Sequence, residues 1–154
     1  LKRSYLFLIM LFFFVLINVG CSDKDEVDAP TISINQNSEY EKTFRDLSLG
    51  VLFNFYFYLP SADKRWVTLW VERYIDGKKD SQPLTQLSYG NSPEDVDEGP
   101  LGFGMINENS EDALVFLYGP GASTQPSKID LKPMTSIGSS LEYAIGKEEV
   151  ELKL

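Results

Sequence analysis

Residues Val51 to Leu59 alternate without interruption. Val51, Phe53, Phe55, Phe57 and Leu59 fall on one side of an extended chain, and Leu52, Asn54, Tyr56 and Tyr58 fall on the other. A helix, turning every ~3.6 residues, would scatter both sets around its circumference, so this stretch reads as a strand. Its phenylalanine side requires a cover, and its tyrosine side has a different chemistry to satisfy.

The same period recurs from Trp66 to Ile75. Val67, Leu69, Val71 and Ile75 share a side that Arg73 interrupts, while Trp66, Thr68, Trp70, Glu72 and Tyr74 share the other. Asp76-Gly77 is a hairpin turn, because glycine supplies the positive φ, and Leu84 to Tyr89 is the returning strand. Shorter strands are expected at Thr31–Ile34 and Leu101–Ile106, and the polar-rich stretch Tyr40–Leu49 fits a strand or a short helix, with a strand preferred. Gly102 and Gly104 share one side of their strand and leave room for a neighbour's ring to lie across it. Ala113–Tyr118 is almost wholly apolar and suits a central position.

Asn91–Pro100 and Gly119–Ser127 read as loops, and Ile129–Leu131 as a brief pairing. Leu141–Ile145 and Glu149–Leu154 read as a last hairpin around Gly146-Lys147, with Leu154 in or beside the sheet. No stretch has the period of a long amphipathic helix. Several short strands punctuated by turns predict an all-β domain over residues 31–154. The expected form is an antiparallel β-sandwich, immunoglobulin-like in architecture, with a small β-barrel as the alternative.

The 154 residues suffice for one domain. The absence of histidine removes histidine triads and histidine-ligated zinc, and a single cysteine removes internal disulfides. No cofactor is expected. A net charge of -9 argues against nucleic acid as a partner, since such binding runs on basic faces.

The N-terminus has a separate character. Lys2 and Arg3 precede an apolar run from Tyr5 to Ile17, shorter than the ~20 residues of a membrane-spanning helix and suited to an export signal. Asn18-Val19-Gly20-Cys21 closes it, and this tetrapeptide resembles the lipobox of bacterial lipoproteins, with Asn18 standing where leucine is usual. The resemblance implies cleavage before Cys21 and a diacylglyceryl group on its sulfur. Residues 1–20 would then be a signal peptide, residues 21–30 an acidic tether, and the protein an extracytoplasmic one held to the cell membrane by lipid. Each buried acyl CH₂ contributes about 0.8 kcal/mol to such anchoring. The alternative for the run is a plain secretory signal or single-span anchor.

Three sets of residues are candidate sites. Tyr56, Tyr58, Trp66, Trp70 and Tyr74 lie opposite the apolar stripes, and neighbouring strands would gather them into a patch for stacking on sugar rings or peptide side chains. Glu94, Asp95, Asp97 and Glu98 offer hard oxygens for calcium, although their spacing lacks the trailing glutamate of an EF-hand loop; a solvated loop is the simpler reading. Ser61-Ala62-Asp63-Lys64 fits S-x-x-K without the companion elements that catalysis needs. The expected function is therefore a non-enzymatic binding module at the membrane surface, with a basic protein, a peptide or an envelope glycan as partner. A small enzyme using carboxylates or the Ser61/Lys64 pair, and a structural spacer, are the alternatives.

Overall fold

The computed structural model describes residues 29–108, 110–130, 142–145 and 148–152. The signal run, Cys21 and the tether up to residue 28 lie outside the described residues, as do the 146–147 turn and Leu154. Two eleven-residue strands, β2 (Gly50–Pro60) and β7 (Val96–Ile106), pair antiparallel along their full length, from Gly50 opposite Ile106 to Pro60 opposite Val96. Around them the large sheet runs β10 (Ser127–Lys128), β8 (Leu114–Gly119), β7, β2, β1 (Thr31–Ile34), β11 (Val150–Glu151), with β9 (Ala122–Ser123) also pairing β8. Among the described residues every pairing is antiparallel and the sheet does not close into a barrel.

Register follows the alternation. Val51 faces Met105, Phe53 faces Phe103 and Phe55 faces Leu101, with Val115 and Leu117 of β8 continuing the same side. The hairpin of β3 (Trp66–Val71) and β6 (Thr85–Gly90) covers this side. Val67 of β3 packs with Phe57, Leu59, Ala62 and Leu101, and Leu69 and Tyr89 close the cluster's rim. A second cluster of Ala113, Val115 and Ile129 packs against Leu84, Phe103 and Met105. The result is a sandwich-like all-β fold with a large sheet and a small one.

Five elements depart from the sequence reading. Gly119–Ser127 is not all loop, because Ala122–Ser123 folds back to pair β8 and Ser127 begins β10. Tyr40–Leu49 is not a strand: α1 is a helix over Glu39–Asp46, and the Oγ of Ser38 accepts a hydrogen bond from the Glu41 N–H at 3.2 Å. Glu41 accepts from the Asn37 N–H at 2.6 Å, one residue before the cap, a variant of the capping box built on the same Ser38-x-x-Glu41 spacing. The second strand ends at Val71. Arg73 turns aside to bind Asp80 (2.6 Å) and the Asp130 carbonyl (2.8 Å), and β4 (Tyr74–Ile75) pairs β5 (Lys78–Lys79) as a separate small hairpin. Asp76 and Gly77 take φ of 50° and 75° in its turn, the positive pair that a tight hairpin demands.

The acidic segment is only partly loop, because Val96–Pro100 pairs with the end of β2, placing Asp97 opposite Leu59 and Glu98 opposite Tyr58. The C-terminal strand pairs not with residues 142–145 but with β1, Thr31 opposite Glu151 and Ile32 opposite Val150.

On the second side of the sheet, Gly104 lies opposite Phe116, and Gly102 opposite Tyr118 and Asn54. A Cβ on Gly104 would collide with the Phe116 ring, and one on Gly102 would meet the Tyr118 hydroxyl. The glycines thus let both rings lie flat across β7. Gly104→Ala should lower stability by about 1–3 kcal/mol, the cost of overpacking, as read by urea unfolding. An unchanged midpoint would contradict this account of the glycine.

Candidate functional site

The outer side of the β3–β6 hairpin carries Trp66, Thr68 and Trp70 opposite Gly90, Ser88 and Gln86. Trp66 is 65% exposed, Trp70 54% and Tyr74 59%. Gly90 is the reason that Trp66 lies down on the sheet: a Cβ there would come within 2.7 Å of the indole. Thr68 and Ser88 share a hydrogen bond at 3.2 Å between the two tryptophans.

Glu72 holds the neighbouring rings. Its carboxylate accepts from Trp70 Nε1 (3.0 Å), from the Tyr74 hydroxyl (3.0 Å) and from Lys79 Nζ (2.5 Å). The Lys79 bond first, then those from Trp70 and Tyr74, lower the carboxyl from its ordinary 4.5 to about 2. Lys79 is raised in turn by the same bond. Beside Trp70 lies a hollow of about 350 Å³ that Lys79, Asp80, Ser81, Gln82 and Gln86 also line. It presents an aromatic face among charged and neutral hydrogen-bonding groups of both kinds.

The five aromatics anticipated as one patch are divided. β2 is flanked by β1 and β7, and β3 pairs β6, so Tyr56 and Tyr58 belong to the large sheet and the other three to the hairpins. Tyr56 donates to Glu98 Oε2 at 2.9 Å, and that bond raises its hydroxyl. Asp97 and Glu98 are consecutive strand residues, so their side chains leave the sheet on opposite sides. Among the described residues, no three side chains able to hold a metal converge. Ser61 sits at φ 51° before a single 3-10 turn, Ala62–Lys64. Lys64 Nζ lies 3.6 Å from Asp63, and the Ser61 to Lys64 link is the backbone bond from the Lys64 N–H to the Ser61 carbonyl at 3.1 Å.

A second concavity had no counterpart in the sequence reading. Tyr40 and Phe44 of α1 and Phe116 and Tyr118 of β8 enclose a groove of about 890 Å³ with Asp97 and Glu98. It was hidden because α1 was read as a strand; the Ser38-x-x-Glu41 spacing with Tyr40 and Phe44 four apart was the available signal.

Beneath the groove Asn54 is fully buried. Its Oδ1 accepts from the Tyr118 hydroxyl at 2.8 Å, and its N–H donates to the Tyr143 hydroxyl at 3.1 Å. Tyr143 in turn donates to Glu41 on α1. Burial raises both tyrosine hydroxyls, that of Tyr143 to about 12.

The chain matches no family model, no curated protein and no solved structure. Among the described residues, no helix is long and apolar enough to cross a membrane.

An NMR titration should find the Glu72 carboxyl near pH 2 rather than near 4.5. Because the folded value is the lower one, the bonds holding Trp70 and Tyr74 stabilise the fold fully above pH 4.5. That contribution declines as the pH falls towards 2. The Trp70 indole N–H resonance should shift with the same midpoint; a midpoint near 4.5 would contradict the shared-acceptor arrangement.

Proposed function

We propose that the chain is a lipid-anchored, extracytoplasmic binding protein of the bacterial envelope, whose outer hairpin face recognises a glycan. The anchor rests on the lipobox-like Asn18-Val19-Gly20-Cys21 at the end of the apolar run. The binding reading is carried by one observation: Trp66, Trp70 and Tyr74 are exposed together, and Glu72 fixes two of them. Leaving a large apolar side chain in water forgoes roughly 1.5–3 kcal/mol of burial, so grouped exposed rings point to an interaction surface.

The chemistry favours a sugar. Indole and phenol faces stack on the apolar faces of pyranose rings, while Asp80, Gln82 and Gln86 beside Trp70 match ring hydroxyls. Trp66 and Trp70, four residues apart on one strand, are about 13 Å apart and suit separate rings of an oligosaccharide. Holding the side chains in place beforehand lowers the entropy cost of binding.

Two measurements test the proposal. Intact-mass analysis of cell fractions should find the wild type in the membrane with a diacylglyceryl mass and Cys21→Ala unlipidated. Detection of residues 1–20 on an unlipidated wild type would remove the anchor. The detergent-extracted full chain should be retained by insoluble bacterial cell wall, with Trp70→Ala about tenfold weaker and similarly folded by circular dichroism. Equal retention of the variant, or no retention of the wild type, would remove the glycan reading.

A further inference from the structure

The groove between α1 and β8 has a chemistry of its own. Tyr40 meets Tyr118 edge to face, with centroids 6.1 Å apart and planes at 83°. Phe44 lies 5.8 Å from Phe116 at 40°, and Phe116 lies 6.1 Å from Tyr118. Rings from the helix and the sheet therefore line one space at different angles. Leu52, Pro100 and Pro120 add further apolar wall. Among the described residues lining it, the charged ones are Asp97 and Glu98, and of these Glu98 shares the sheet side of Leu52, Phe116 and Tyr118. Glu98 spends Oε2 on the Tyr56 hydroxyl, which holds the group in position.

We propose that this groove binds a small organic cation of the alkylammonium class, its apolar body against Tyr40, Phe44, Phe116 and Tyr118 and its charge answered by Glu98. Aromatic faces attract a cation within about 6 Å of the ring centroid, and a volume of about 890 Å³ lies in the range of small-molecule sites. An anion meets the Glu98 carboxylate there and a net charge of -9 overall. A sugar would find few neutral hydrogen-bonding groups among the rings. The site shares no residue with the Trp66–Trp70 face and does not depend on the glycan reading.

The test uses the full chain in lipid nanodiscs, titrated calorimetrically with benzyltrimethylammonium, benzyl alcohol and benzoate, with empty nanodiscs subtracted. Benzyltrimethylammonium should bind at least about fivefold more tightly than the other two. Glu98→Gln, which keeps an acceptor for Tyr56, should weaken the cation about fivefold and leave benzyl alcohol unchanged. Trp70→Ala should change neither. Equal affinity for the three probes, or cation binding indifferent to Glu98→Gln in the folded variant, would overturn the proposal.

Discussion

The eleven-residue ladder between β2 and β7 is the contact on which the other features depend. It sets the phenylalanine-rich β2 against β7 in a register that makes one side continuous and apolar, and it sets glycines against large rings on the other. Burial of the first side recruits the β3–β6 hairpin as a second layer. The hairpin then has only one side left for solvent, and Trp66 and Trp70 are on it. On the second side, Gly102 and Gly104 leave the depressions that Tyr118 and Phe116 fill, and α1 is laid against those rings. Both candidate sites thus follow from which side of one ladder each residue faces.

The parts of the fold that were legible in the sequence are those where both sides of an element carried a pattern. β2 and β3 were readable from alternation, β6 from its place as the strand returning to β3, and the Asp76-Gly77 turn from the positive φ it requires. The flat rings over Gly102 and Gly104 were readable because a glycine side of a strand invites them. Trp66, Trp70 and Tyr74 were legible as one outward set. Their tie through Glu72 to Lys79 was not, since Lys79 arrives from across a hairpin.

What escaped depended on tertiary partners or on a short local signal. Asp97 and Glu98 look like loop by composition, yet the free end of β2 offers them a ladder, and pairing outweighs propensity. α1 spans only eight residues, too few for its period to stand out, and its two aromatics sit among charges. Its capping box was the stronger clue. The groove could not be read without the helix, and the aromatic set could not be divided correctly without knowing that β2 and β3 are in different sheets.

The domain thus carries two surfaces of different chemistry: an exposed, pinned aromatic face with mixed polar neighbours, and an acid-bearing aromatic groove. A lipid on Cys21 would hold both near a membrane whose anionic surface repels the chain's own charge. The glycan face is the central claim, and the chain offers a direct reporter of it, because its 2 tryptophans are Trp66 and Trp70. Intrinsic fluorescence of the full chain, titrated with soluble glycan strands released from bacterial cell wall, should show a saturable change in intensity and emission maximum. Emission that stays unchanged to millimolar sugar would contradict recognition at this face.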